Sequence, residues 1–317
     1  MPRAFAIASL FVLLTLARPE PPSVPAPLDA SRSPEYVQPQ SLSQSQPPTE
    51  EEVRTRAEKV IANQHADDVV LDRSERYERQ LERTAGNNPR ILEEKDYRVV
   101  PNGMGTTKIL VKENGKPVDP AEYHKQLLVW EEALELTLHP DDSRSKAALA
   151  KYEKKKRERA EMVDGTKDSF ILKWLGREMM DGRDCDVLEA TPNPKFHPHS
   201  IVQDVLTHAT AKVWVDHEAN QIVRGEARIT RDISFGGGIL GKLYRGAVFA
   251  IDQSEVSPGI WLPFRYQYDF TVRKFLFTSE GHQYIEVSRY RNLGSPKQVL
   301  AIVKDELANG KTVLGDP

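Results

Sequence analysis

Cysteine is almost absent from this 317-residue chain, which contains only Cys185. No intrachain disulfide can form, so a folded domain must be held together by its own apolar core. A reactive thiol needs an exposed position and a nearby base, and nothing in the local pattern supplies them. We therefore expect Cys185 to be a small buried residue on a strand.

A strong charge of either sign is also missing, because the formal net charge is −3. Nucleic-acid-binding domains are typically strongly basic, so no nucleic-acid partner is expected. Hydrophobic residues make up 39% of the chain, which is below the usual share in globular domains. Much of the deficit lies in the N-terminal Pro/Ser/Gln-rich segment and in charged central helices.

Long hydrophobic runs are limited to the N-terminus. Residues 1–17 have the pattern of a secretory signal peptide: Arg3, an apolar run from Ala4 to Leu14, and the small residue Ala17. The run is too short to make a stable transmembrane anchor, although an uncleaved anchor is the alternative. Residues 18–48 are predicted to be a disordered tether, followed by a main domain over 49–294 and a tail over 295–317.

Catalytic signatures are missing as well. Neither Gly-x-Ser-x-Gly nor His-Glu-x-x-His occurs, and paired carboxylates such as Asp184 and Asp186 fit the wet face of a sheet. The sequence therefore predicts a protein that is not an enzyme, with no catalytic residue and no cofactor.

Two motifs suggest ligands but have simpler explanations. Gly236 to Lys242 matches the first seven positions of a phosphate-binding loop, yet Leu243 stands where the motif requires Ser or Thr for magnesium. A glycine-rich bend between antiparallel strands is the preferred interpretation. His197 and His199 could both reach one metal, but a proline-rich surface loop accounts for them, and no metal site is predicted.

The region from Thr207 to Tyr290 reads as successive strands, and it carries the main structural signal. In Ile260–Val272, apolar and polar residues alternate almost without interruption, and Gln221–Ser234 shows the same period of two. This pattern is typical of an antiparallel sheet with one apolar and one solvated face. Parallel α/β cores are excluded because their strands are apolar throughout.

Helices are predicted around this sheet. A capping box at Thr49 begins a helix that runs to about Asn63. Asp119-Pro120 begins another that runs to about Leu138, and a charged helix follows from Ser143 to Met162. These two form a helical insertion over 119–163, and a last helical pattern spans 296–307. Residues 74–84 are ambiguous between helix and strand.

Three short motifs, in this order, resemble the outer-membrane lipoprotein-sorting proteins. They are Asp181–Leu188 (DGRDCDVL), Lys212–Asp216 (KVWVD) and Gly259–Pro263 (GIWLP). The resemblance covers roughly residues 70–291 and extends to the periplasmic lipoprotein carrier, its outer-membrane receptor and a sensor of envelope stress. It implies an α+β fold: an antiparallel, unclosed half β-barrel with helices covering its concave face. It further implies an exported, periplasmic, non-enzymatic protein.

The aromatic face of the sheet is the candidate ligand site. The residues assigned to it are Ile260, Leu262, Phe264, Tyr266, Tyr268 and Phe270. The predicted ligands are acyl chains of lipids or lipoproteins, sheltered in an apolar cavity by a protein that is at most peripheral to the membrane. The alternative is an envelope interaction or stress-sensing module, with a protein partner and a sheet packed solid by its own side chains.

Overall fold

Antiparallel strands form most of the protein, as seen in a computed structural model that describes residues 40–41, 46–86, 88–235 and 241–309. The predicted signal peptide and most of the predicted tether lie outside these residues, as do the last eight residues of the predicted tail. The five described helices are α1 (Glu50–Arg73), α2 (Pro120–Leu138), α3 (Ser143–Ser169), α4 (Ile201–Leu206) and α5 (Pro296–Asn309). The strands are β1 (Gln40–Ser41), β2 (Ser74–Arg83), β3 (Ile91–Pro101), β4 (Thr106–Glu113), β5 (Lys116–Pro117), β6 (Phe170–Met180), β7 (Arg183–Pro192), β8 (Ala209–Asp216), β9 (Ile222–Ile229), β10 (Ile233–Phe235), β11 (Gly241–Leu243), β12 (Val248–Ser257), β13 (Ile260–Lys274) and β14 (Phe277–Asn292).

One 14-stranded sheet contains all of these strands. Its order is β1-β6-β7-β8-β9-β12-β13-β14-β2-β3-β4-β5, with β10 and β11 attached beside β13. Every described pairing is antiparallel, and in the described part of the chain the two end strands do not pair with each other. The predicted fold class, an unclosed antiparallel sheet with helices, is confirmed.

Helix α1 begins as predicted and ends later. The Thr49 N–H donates to Glu52 Oε2 at 2.7 Å, and the Glu52 N–H donates back to Thr49 Oγ1 at 3.3 Å, which completes the capping box. The helix runs to Arg73 because its buried stripe continues through Asp67 to Leu71. The sequence did not predict this continuation, because Asp67 is an acidic residue on the buried stripe. Its carboxylate accepts a hydrogen bond from the backbone N–H of Trp261 at 3.1 Å.

The ambiguous segment over 74–84 is strand β2. Its spacing of Tyr77 and Leu81 suits a helix in isolation, but β2 is paired on both sides, with β14 and with β3. Tertiary pairing therefore decides the conformation. Likewise Gln40–Ser41, within the predicted tether, pairs with Met179 and Glu178 of β6.

The β3–β4 region of the sheet is buried on both faces, which differs from the predicted single apolar face. Val99 and Val100 are neighbours on β3 and both are fully buried, although successive side chains point to opposite faces. On the Val100 face, α2 and α5 pack against β3 and β4. We call this the outer face; the opposite one, which carries Val99, is the inner face.

Arg98 ties α5 to the outer face. Its guanidinium donates to both Glu306 oxygens, at 2.7 and 2.9 Å, and to Glu75 at 2.5 Å. Trp130 of α2 lies under the guanidinium at 5.2 Å from ring centroid to Arg98 Cζ. The predicted C-terminal helix is thus fixed to the sheet by a buried ion cluster.

Candidate functional site

Three of the six predicted site residues lie together on the inner face. Tyr266, Tyr268 and Phe270 of β13 belong to one buried cluster of 19 hydrophobic residues. Tyr266 and Tyr268 are stacked, with centroids 6.1 Å apart and ring planes 10° apart. Phe249 of β12 meets Tyr268 edge-on at 6.1 Å. The aromatic face expected from the alternation is therefore present over this half of β13.

The other three predicted residues are separated from that cluster by an irregularity in the strand. Arg265 pairs with Asp252, but Pro263 pairs with Gln253, so Phe264 is an extra residue in the ladder. An extra residue reverses the side on which the following side chains lie. Ile260 and Leu262 therefore do not continue the face of Tyr266, and Phe264 is only half-buried. A bulge leaves no mark on the apolar–polar alternation, which is why the sequence placed all six together.

Two helices supply the cover of the inner-face cluster. Met162 comes from α3, while Val202, Val205 and Leu206 come from the six-residue α4. A close approach between these helices depends on Gly165 of α3, because a Cβ there would lie 3.1 Å from Leu206 Cδ1. The shortest of the five described helices thus contributes most of the helical side of the cluster.

Burial leaves one phenol of the cluster without a protein partner. Tyr266 is 1% exposed, and its hydroxyl forms no hydrogen bond with any described residue. Burial raises its pKa well above the usual value of a tyrosine, so the group stays protonated and remains a donor.

An ionic cluster that the sequence did not reveal adjoins the aromatic cluster on the same face. Arg76 and Glu78 of β2 are 4% and 2% exposed. Arg76 Nε donates to Glu78 Oε1 at 2.9 Å, and Lys108 Nζ of β4 lies 2.5 Å from Glu78 Oε2. Because 74–84 was ambiguous, the inward direction of Arg76 and Glu78 could not be predicted.

Burial and mutual attraction set the protonation of this ionic cluster. Burial alone would raise the pKa of Glu78, but the charges of Lys108 and Arg76 outweigh it and bring that pKa to about 2. Burial lowers the pKa of Lys108 to about 8, against the attraction of Glu78. Near neutral pH the cluster therefore holds two cations and one carboxylate.

The motifs considered for metal or phosphate binding do not assemble a site in the described residues. His208 and His217 are the candidates for a third ligand beside His197 and His199. His208 lies 3.7 Å from Asp204, whereas His217 lies 2.7 Å from Asp186 Oδ2, so each is engaged separately. No group of three or more possible metal ligands occurs in the part of the chain that the structure describes. Gly236–Leu240 lies outside the described residues, and Gly241–Leu243 is a strand, where a phosphate-binding loop would begin a helix.

Two surface features lie at the end of the sheet where β13 turns into β14. Leu276 and Phe277 at the hairpin tip are 92% and 75% exposed, next to Arg273 and Lys274. On the neighbouring β9–β10 and β11–β12 connections, an open pocket of about 570 Å³ is lined by Thr230, Arg231, Asp232, Tyr244 and Arg245. Phe277 lies in the region that the sequence predicts as successive strands, and nothing in its pattern indicated an exposed tip.

Comparison with family models finds no match, and comparison with curated proteins finds none either. Solved structures do match. One is a putative outer membrane lipoprotein-sorting protein domain from Vibrio parahaemolyticus, with 10% identity, 78% of this chain and 99% of that chain covered, and a TM-score of 0.31. Another is a LolA superfamily protein from Nitrosomonas europaea, with 12% identity, coverage of 78% and 96%, and a TM-score of 0.30. A third is a DUF1329 family protein from Desulfovibrio piger, with 11% identity, coverage of 76% and 92%, and a TM-score of 0.30.

These matches include a putative lipoprotein-sorting protein domain, the kind of protein that the three sequence motifs resemble, at 10% sequence identity. The fold assignment itself rests on the strand pairings given above. Within the described ranges, no helix has both the length and the apolar character needed to cross a bilayer.

Proposed function

We propose that this protein binds acyl chains of lipids or lipoproteins on the inner face of its sheet, without catalysing a reaction. The observation that carries the proposal is the aromatic and aliphatic cluster of β12, β13 and β14, closed over by α3 and α4. Such an apolar face suits an acyl chain, because each methylene that it buries contributes about 0.8 kcal/mol.

In this proposal, helix α4 is the movable part of the cover. It has only six residues, and it follows a loop that contains Pro194 and Pro198. Short helices are only marginally stable by themselves, so α4 depends on its contacts with the cluster. Displacement of Val202, Val205 and Leu206 would open the inner face, and an acyl chain would replace their contacts with the aromatic residues.

The exposed hairpin tip supports a peripheral contact with a membrane. Leu276 and Phe277 lie at the end of β13 that carries Phe270, beside the cations Arg273 and Lys274. Apolar side chains flanked by basic ones suit the interface of an anionic bilayer. Such a contact would bring the inner-face cluster close to its source of ligand. The export pattern at residues 1–17 makes the periplasm the compartment in which we expect this to occur.

A second candidate is an envelope interaction or stress-sensing module with a solid sheet. It is favoured by the burial of Tyr266, Tyr268 and Phe270, which are 1%, 4% and 7% exposed and are covered by the protein's own side chains. In that case the inner face serves stability alone, and a protein partner would bind elsewhere.

Ligand uptake by a matched pair of core variants separates the two candidates. Leu206 of the inner-face cluster and Leu134 of the outer-face cluster are both fully buried, so Leu206→Ala and Leu134→Ala should each lower stability by about 2–5 kcal/mol. If the inner face takes up acyl chains, Leu206→Ala changes the affinity for a fluorescent fatty acid, and Leu134→Ala leaves it at the wild-type value.

Native mass spectrometry of the full chain provides an independent measurement. We expect co-purified lipid, or a bound fatty acid after incubation. A ligand-free mass together with no fatty-acid uptake by the wild type would contradict the acyl-binding proposal and favour the solid module.

A further inference from the structure

Two hydrogen-bond donors on the inner face are buried and have no acceptor among the described residues. Arg76 Nη1 and the Tyr266 hydroxyl are both inaccessible to solvent and form no hydrogen bond with any described residue. A buried donor without a partner is costly and usually indicates a water, an ion or a ligand that completes the site. In a guanidinium the cost is greater than in a neutral group, because charge-assisted hydrogen bonds are the stronger ones.

Strand register brings these donors to the same corner of the inner face. Tyr266 pairs with Ile285 of β14, and Ile285 pairs with Gln80 of β2. Residues that pair across a ladder share a face, and Arg76 shares the Gln80 face because side chains alternate along β2. Tyr290 lies near both residues, and its hydroxyl donates to the Pro263 carbonyl. Arg76 interacts electrostatically with both phenols.

Charge at this corner favours an anionic acceptor with a single charge. Arg76 and Lys108 surround one buried carboxylate, Glu78. The other acid near Arg76 is Asp72, which also faces Arg73 and Lys156, and the neighbouring Arg159 is paired with Asp68. One extra positive charge therefore remains at Glu78. A carboxylate would neutralise it, whereas a doubly charged phosphate would leave one excess negative charge in this buried position.

The apolar cluster begins directly beside these donors. Ile285 and Val287 of β14 lie between Tyr266 and β2, and both belong to the inner-face cluster. A ligand with its anionic end at Arg76 would thus have its chain on Tyr266, Tyr268 and Phe249. The polar and apolar parts of the inner face are contiguous, in the arrangement of a single-chain amphiphile.

We propose that Arg76 and Tyr266 bind the carboxylate of a fatty acid, whose chain occupies the inner-face cluster. This inference rests on the proposed function and narrows its ligand class from acyl chains in general to free monocarboxylates. Each carboxylate oxygen would accept one of the two orphan donors, Arg76 Nη1 and Tyr266 Oη.

A matched pair of probes tests the headgroup separately from the chain. Dodecanoate and dodecan-1-ol have the same chain length, and only the first is an anion. For the full-length wild-type chain at pH 7, we expect dodecanoate to bind at least tenfold more tightly, measured by calorimetry or native mass spectrometry. Tyr266→Phe removes one donor and keeps the aromatic ring, and it should reduce this preference for dodecanoate several-fold.

Arg76→Met should abolish the preference for dodecanoate over dodecan-1-ol. A double variant controls for misfolding of the single one. Loss of Arg76 weakens the compensation of Glu78, so Arg76→Met/Glu78→Gln removes both charges together. Equal binding of the two probes by the wild type would overturn the carboxylate site and leave acyl binding intact, with water as the partner of the orphan donors. A preference that survives in both Arg76 variants would also overturn it. Binding of neither probe would end both proposals.

Discussion

Phe270 and Gly281 pair across β13 and β14, and the Phe270 ring occupies the space that a side chain at Gly281 would need. A Cβ at Gly281 would fall 2.4 Å from Phe270 Cζ and 2.7 Å from Cε1. An aromatic ring laid over a glycine protects a weak point of a long strand pair, because glycine has no side chain of its own to pack.

Gly281→Ala should therefore destabilise the protein, by about 1–3 kcal/mol, because the Phe270 ring must leave its position in the inner-face cluster. The measurement is chemical denaturation of both single variants and of Phe270→Leu/Gly281→Ala. We expect the double variant to be more stable than the sum of the two single effects predicts, since the smaller side chain removes the clash. Simple additivity would contradict the contact.

The buried ion cluster of the outer face should be essential for holding α5. Glu306→Gln leaves Arg98, which is 1% exposed, with Glu75 as its remaining carboxylate, and we expect a loss of about 3–5 kcal/mol of stability. Lys304 lies on α5 like Glu306, and Lys304→Met breaks its ion pair with Glu135 of α2. Both of these side chains are solvated, so this substitution should leave the melting temperature unchanged. Equal effects of the two substitutions would argue against a special role of Arg98.

Acid should weaken the inner-face ion cluster in a defined pH window. The pKa of Glu78 is lowered from 4.5 to about 2 on folding, so the native state binds fewer protons than the unfolded state between these values. Its contribution to stability is complete above about pH 4.5 and is lost as the pH falls toward 2. Glu78→Gln should cost about 3–5 kcal/mol at pH 7.

The difference between wild type and Glu78→Gln is the quantity to measure, by urea denaturation at a series of pH values. It should shrink between about pH 4.5 and pH 2, because protonated glutamate resembles glutamine. A difference that stays constant over this range would mean that Glu78 is not ionised in the folded protein.

Membrane contact through the hairpin tip makes a further prediction. Replacing Leu276 and Phe277 by serine should reduce sedimentation with vesicles that contain phosphatidylglycerol by at least tenfold, since burial of each side chain contributes about 1.5–3 kcal/mol. Leu92→Ser is the matched control, because Leu92 is 55% exposed and lies on β3, away from the tip. An equal loss of sedimentation in Leu92→Ser would show that replacing any exposed leucine by serine has this effect, and would contradict a specific role of the hairpin tip.

The sequence predicted the fold well where one physical signal dominated. Period-two alternation located β13, and the capping residues Thr49 and Asp119 began helices at the observed positions. These sequence patterns failed to predict the structure where tertiary contacts determine the conformation. Asp67 looks like a break in a helix until its bond to the Trp261 N–H is known.

The candidate site was predictable only in part, for a similar reason. Alternation identifies Tyr266, Tyr268 and Phe270, but the bulge at Phe264 has no compositional mark. Arg76 and Glu78 look like surface residues in the sequence. Their burial follows from the pairing of β2 between β14 and β3, which cannot be read from a stretch of charged residues.

Strand β1 has a practical consequence for work with shortened forms of the protein. Gln40 and Ser41 occupy part of the free margin of β6, opposite Met179 and Glu178. A version trimmed to start at Thr49 would leave those backbone groups uncovered, and an uncovered margin is a template onto which another molecule can add a strand. Self-association of such a trimmed form would then result from the loss of Gln40 and Ser41, and it would not reflect how the full-length protein assembles.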